Sequence, residues 1–149
     1  MILASSAAVA CSCPRPEELS ERALRWYMKD LSRIVRGRVV GIEYPLTCRI
    51  APLRWIWSLT EYRLPVTYTV AVTRTLWGPP VRTTRIVQHQ TAELDGCRPL
   101  GAPACEAAIP TGETLWVIRR LPNGEQRYTG GCGAAYAPYI LRIARQSGK

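Results

Sequence analysis

Two periods of hydrophobic residues run along the chain, and the change from one to the other marks its first boundary. From Pro16 to about Ser32, Leu19, Ala23, Trp26 and Tyr27 recur at spacings of three and four, and Leu31 and Ile34 extend the same face. Pro16 suits a first helical position, and Glu17, Glu18 and Glu21 place anions where the helix dipole favours them. The pattern predicts one long helix. From about Arg33 to Tyr44 the period falls to two: Ile34, Arg36, Arg38, Val40 and Ile42 alternate with Val35, Gly37, Val39 and Gly41. That reads as a strand with glycine bends, of the kind a small barrel needs to close.

Val66 to Trp77 alternates Val66, Tyr68, Val70 and Val72 with Thr67, Thr69, Ala71 and Thr73, and Gly78-Pro79-Pro80 ends it. Arg82 to Gln90 supplies a third strand and Thr114 to Leu121 a fourth; Asn123-Gly124 signals a hairpin turn, and Glu125 to Thr129 is the return. Residues 91–112 are rich in turn formers around Cys97 and Cys105. Gly130-Gly131-Cys132-Gly133 leads into a short terminal helix, Tyr139 to Gln146. The connector from Tyr44 to Pro65 holds Cys48 and the apolar run Arg54-Trp55-Ile56-Trp57-Ser58-Leu59, with Trp55, Trp57 and Leu59 forming either a hairpin over one barrel end or a binding ridge. Five strands with no repeat and no strand-helix-strand alternation predict a mostly β fold. The expected form is a five-stranded antiparallel barrel with a long N-terminal helix and a short C-terminal one.

Composition restricts the chemistry. A chain of 149 residues, 47% hydrophobic and 21% charged, makes one domain with a packed core. A single histidine excludes a zinc site of several imidazoles, and any catalytic triad would have to rest on His89. His89 sits in strand-like sequence, and the nearest nucleophiles, Thr84 and Thr91, have no acidic partner at a telling spacing. The eleven carboxylates are mostly scattered, and no phosphate loop, dinucleotide fingerprint or metal motif occurs, so no cofactor is expected. The balance favours a binding module over an enzyme. The formal charge of +9 rests on twenty basic residues, of which only Lys29 and Lys149 are lysines. Arg36, Arg38, Arg82, Arg85, Arg119 and Arg120 fall on strands and, with Trp55, Trp57, Trp77 and Trp116, invite a nucleic-acid reading. A solvated basic face over a tryptophan-containing core explains them better, and attraction to anionic surfaces then follows.

Residues 1–10 are uncharged and end in Ala8-Val9-Ala10, the small-residue pattern that signal peptidases cut after. They read as the end of a signal peptide, with the domain running from 11 to 149. A lipobox would need Leu at the first of those places, so a secreted, extracellular or periplasmic protein is expected ahead of a lipoprotein. No apolar run is long enough to span a membrane. Six cysteines agree with an oxidising compartment. They allow fifteen pairings, among which spacing does not choose.

Cleavage after Ala10 leaves Cys11-Ser12-Cys13-Pro14 at the N-terminus, and this opening resembles the netrin-like domain, whose best-known members are the tissue inhibitors of metalloproteinases. The resemblance continues through Ile34 to Val40, through Val70 to Gly78 with its Leu76-Trp77-Gly78 ending, and through Cys105, Gly112-Glu113-Thr114-Leu115-Trp116-Val117-Ile118 and Cys132. It spans about Cys11 to Tyr136 and implies an OB-like barrel of five strands. The helix from Pro16 and the Trp55 to Leu59 connector depart from the animal inhibitors. The resemblance implies disulfides Cys11–Cys105 and Cys13–Cys132, leaving Cys48–Cys97 as an extra pair. It also implies that the free α-amino group of Cys11 and its carbonyl oxygen chelate the catalytic zinc of a partner protease. Such an amine has an unperturbed pKa of about 7.7 to 8.0. Ser12 would point into the partner's pocket, Cys13 would anchor the edge, and Pro14 would stiffen the exit. The plainer alternative is that these cysteines only staple the N-terminus, in an envelope or adhesion module that uses its basic face.

Overall fold

The computed structural model describes residues 13–45, 48, 63–92, 99–101 and 109–147. The elements are a single 3-10 turn Pro16–Glu18, α1 Glu21–Met28, β1 Leu31–Glu43, β2 Arg63–Trp77, β3 Thr83–Ala92, β4 Pro99–Gly101, β5 Thr114–Arg120, β6 Gln126–Tyr128 and α2 Gly130–Ser147. All strand pairs are antiparallel, in the order β4-β3-β2-β1-β5-β6.

The expected long N-terminal helix is divided. Leu19 is extended, with ψ near 130°, and Ser20 starts α1 afresh by accepting a hydrogen bond from the Ala23 amide at 3.2 Å. Ser is among the preferred N-caps, so a local cap overrides the continuing apolar period. The helical face also differs from the expectation: Leu24 is the buried residue of α1, and Trp26 is 70% exposed. The chain is already in the sheet at Leu31, opposite Arg119 of β5.

β1 is the spine of the sheet, paired to β2 on one side and β5 on the other. Its ladder to β2 shifts register between Arg36 and Gly37 and again between Val39 and Gly41, so the predicted glycine bends are present. Gly37 lies so close to β2 that a Cβ there would overlap the Ala71 carbonyl oxygen and stand 3.1 Å from Val70 Cγ1. The predicted hairpin also forms: Gly124 has φ +85°, and the Asn123 side chain accepts from the Glu125 amide at 3.0 Å.

The sheet curls but does not close, which corrects the expected barrel. Among the described residues no ladder joins β3 to β6; the two edges meet through side chains, with Gln126 Nε2 donating to the Arg85 carbonyl at 3.4 Å. The cause is the short return strand. After Tyr128 the chain is held by Thr129, whose amide and hydroxyl both donate to the Val117 carbonyl at 3.0 Å, and it turns into α2.

Buried apolar residues cluster on both faces of the sheet, with a smaller third cluster of Cys48, Val66 and Tyr68. Val35, Val70, Ile86, Trp116 and Ile118 fill the concave side, where the Trp116 indole donates to the Gly37 carbonyl at 2.9 Å. On the convex side Ile34 and Val117 meet Leu24 and the buried stripe Tyr136, Ala137, Ile140 and Ile143 of α2. This helix is much longer than the expected Tyr139 to Gln146 segment. Its glycine-rich first turn passes tightly over the sheet: Gly130 enters at φ +80°, and a Cβ on Gly133 would overlap the Thr129 hydroxyl and come within 3.1 Å of Val117 Cβ. Pro138 costs the helix one internal hydrogen bond and is exposed. Among the described residues no helix is long and apolar enough to cross a membrane.

Candidate functional site

The N-terminal segment is bound to one stripe of α2. Cys132, Tyr136 and Tyr139 stand four and three residues apart, and helical geometry puts them on one face. Cys132 forms a disulfide with Cys13 across a sequence separation of 119, with Cα atoms 5.5 Å apart. One turn on, the Tyr136 hydroxyl donates to the Pro14 carbonyl at 2.9 Å; a further turn on, the Tyr139 hydroxyl donates to Glu17 Oε1 at 2.9 Å. Residues 13 to 17 are thereby tied to α2 at three successive points. Cys13 is half-buried against the convex core, whereas Pro14 and Arg15 face solvent.

Aromatic contacts brace this stripe. Tyr27 of α1 meets Tyr136 edge-on, with ring centroids 5.4 Å apart and planes at 89°, and the Arg119 guanidinium lies 5.7 Å from the Tyr27 centroid. Burial pushes the Tyr136 hydroxyl above its ordinary pKa, with a smaller push from Tyr27. Glu17 is held below the usual carboxylate value by its own backbone amide and then by the Tyr139 hydroxyl. The same bond raises Tyr139. Both directions favour the form seen, an ionised Glu17 accepting from a neutral Tyr139.

The expected Cys13–Cys132 pair is therefore present. Cys48 is buried beside Val66 and Tyr68 and is also disulfide-bonded. Its partner falls outside the described residues, as do Cys11, Ser12, Cys97, Cys105 and the ridge residues Trp55, Trp57 and Leu59. A helix expected to begin only at Tyr139 leaves Cys132 and Tyr136 outside it, whereas α2 runs from Gly130 and aligns all three. The signal was available in the four- and three-residue spacing of Cys132, Tyr136 and Tyr139.

A second surface belongs to the convex sheet. Arg36, Arg38, Val40 and Ile42 are exposed at alternate positions of β1, with Val40 at 56% and Ile42 at 55%. Arg36 lies opposite Arg74 of β2. None of Arg36, Arg38 and Arg74 makes an ion pair among the described residues, whereas Arg85 is paired to Glu43 at 2.9 Å. Like charges facing one another across strands are destabilising, so this row carries a standing attraction for anions.

Of the tryptophans in the nucleic-acid reading, Trp116 is fully buried in the concave core and Trp77 packs against the convex one. His89 is a strand residue of β3, half-buried, with Nε2 3.6 Å from Glu125 Oε1; the fold supplies an acidic neighbour that spacing did not reveal. Among the described residues no cluster of three or more His, Cys, Asp or Glu is placed to hold a metal. Scans against protein-family models, curated proteins and solved structures found no match to this chain.

Proposed function

We propose that the protein is a secreted protein-binding module whose N-terminal edge, Cys11 to Pro14, docks in the active-site cleft of a zinc metalloprotease. In this reading the α-amino group and carbonyl oxygen of Cys11 chelate the partner's zinc, Ser12 enters the adjoining pocket, and Cys13 and Pro14 fix the approach. The observation that carries the proposal is the three-point attachment of residues 13 to 17 to α2. A segment fixed in this way has little conformational freedom to lose on docking, which favours tight association. Catalytic zinc in proteases keeps one position open to an added ligand.

The test compares the oxidised chain beginning at Cys11 with the same chain carrying one extra alanine before Cys11. Inhibition of a panel of zinc metalloprotease catalytic domains should be present in the first and weaker by at least about a hundredfold in the second, a loss of roughly 3 kcal/mol. Equal inhibition by both chains, or none by either, rejects zinc chelation.

The exposed row of Arg36, Arg38, Val40 and Ile42 supports a second reading, an envelope or adhesion module that holds anionic surfaces or partner proteins. Binding of this kind weakens steeply with salt and ignores the state of Cys11. Vesicles containing anionic lipid, titrated at low and physiological ionic strength with the wild type and Arg36→Ala/Arg38→Ala, separate the two readings. Loss of vesicle binding in the arginine variant, without loss of protease inhibition, assigns the row its own role.

A further inference from the structure

At the end of the sheet away from the β1 glycine bends, the turn between α1 and β1, the turn after β2 and the turn after β5 surround a cavity of about 440 Å³. Its wall includes Lys29, Asp30, Arg33, Pro79, Arg120 and Pro122. The group that needs explaining is Arg33. It is only 9% exposed, yet among the described residues its side chain makes a single hydrogen bond, from Nε to the Ser32 hydroxyl at 3.5 Å, and no ion pair. Charged side chains are almost never buried unless paired, because removing the charge from water is costly. The carboxylate nearest in sequence, Asp30, is engaged elsewhere: its Oδ2 accepts from Arg119 Nη2 at 3.0 Å.

The surrounding backbone holds this wall in place. Gly78 has φ +87°, and a Cβ there would stand 2.7 Å from the Ser32 carbonyl oxygen and 3.1 Å from Arg33 Cβ. Only glycine lets the turn after β2 close down on Arg33 in this conformation. The Arg120 amide in turn donates to the Asp30 carbonyl at 2.9 Å, which brings the ends of β5 and α1 together around the cavity.

We infer that this cavity is a binding site for a small phosphomonoester. Three cations and one carboxylate leave its lining with two positive charges in excess. A phosphomonoester carries about −1.5 to −2 at pH 7 and offers three acceptor oxygens. A guanidinium presents a planar fork of donors matched to such oxygens, and an otherwise unpaired one gives the strongest charge-assisted contact. Lys29 and Arg120, both exposed, complete the ring as point charges from the rim. The volume falls within the range of about 300 to 1,000 Å³ found for small-molecule pockets, so it accommodates an organic group as well as the phosphate. The site shares no residue with the Cys11 to Glu17 edge or with the Arg36 to Ile42 row, and it stands or falls independently of both.

The experiment is calorimetric titration of the oxidised chain with glycerol phosphate, inorganic phosphate and acetate at physiological ionic strength. Glycerol phosphate should bind saturably at one site, inorganic phosphate less tightly, and acetate least. Arg33→Met, which keeps the bulk of the side chain and removes its charge, should weaken glycerol phosphate binding at least about tenfold. Arg74→Ala, on the distant basic row, should leave it unchanged. If Arg33→Met does not fold, Lys29→Ala/Arg120→Ala must produce the tenfold loss. Absence of saturable binding overturns the site, as do equal affinity for acetate, an unaffected charge-removal variant, or an equal loss in Arg74→Ala.

Discussion

Removing the Cys13–Cys132 disulfide, by changing both residues to alanine, perturbs the one covalent link between the N-terminal edge and α2. The bond closes a loop with a sequence separation of 119. The chain-entropy relation then gives a stabilisation of about 5 kcal/mol at 25 °C. Cys48 is cross-linked as well, which shortens the effective loop; halving its length lowers the figure by only about 0.6 kcal/mol. A loss of about 4 to 5 kcal/mol is therefore expected, a large part of a small domain's stability. The assay is urea denaturation of the wild type and the double variant, followed by far-ultraviolet circular dichroism. The midpoint should fall, and the slope against urea should rise, because an unfolded chain freed of this link exposes more surface. Tyr136→Phe, which removes only the hydrogen bond to Pro14, should cost about 1 kcal/mol with no change of slope. A double variant within about 1 kcal/mol of the wild type would refute the reasoning, since closure of this loop would then contribute little to holding the folded chain.

Other expectations follow from the cores and the tyrosine stripe. Gly37→Ala forces a methyl group onto the Ala71 carbonyl and should cost at least about 2 kcal/mol in the same assay. Thr84 is 5% exposed and its hydroxyl has no partner among the described residues, so Thr84→Val should raise stability by about 1 kcal/mol. Tyr128 and Tyr136 have pKa values raised mainly by burial, so both are neutral in the fold beyond the pH at which unfolded tyrosines ionise. Their stabilisation is complete below the unfolded value of about 10 and is lost as pH rises through the raised values, so spectrophotometric titration should show late tyrosine ionisation coincident with unfolding. Glu17 has the opposite sign: its lowered pKa gives a contribution present above the unfolded value and lost as pH falls through the folded one. Glu17→Gln should flatten that acidic limb, as read from melting temperature against pH.

Much of the sheet was legible in period-two patterning, because a strand with one face on a core and the other toward solvent alternates apolar and polar residues. The run from Val66 to Val72 and the glycine bends of β1 both appear where that alternation places them. Helix extent was less legible. Ser20 breaks the first helix through a hydrogen bond that competes locally with a continuing apolar stripe. Gly130 to Gly133 and Pro138 read as helix breakers, yet α2 begins there: Gly130 enters it at φ +80°, Gly133 lies against Thr129 and Val117, and Cys132 is pinned to Cys13. The pairing of Cys13 with Cys132 came from family resemblance, and nothing in the spacing of six cysteines alone selects it. The tyrosines themselves show in their spacing from Cys132, but their partners Pro14 and Glu17, and the cavity around Arg33, depend on contacts between segments far apart in the chain, which no local pattern announces.

The central claim, that the first residue of the docking edge binds a partner's zinc, is tested most directly at the metal. A zinc metalloprotease with cobalt substituted at its catalytic site gives a visible absorption spectrum that responds to a change of ligands. Mixing it with the oxidised chain beginning at Cys11 should shift that spectrum at equimolar ratio, and the chain carrying one alanine before Cys11 should leave it unchanged. An identical shift from both chains, or complex formation with no shift from either, contradicts the account.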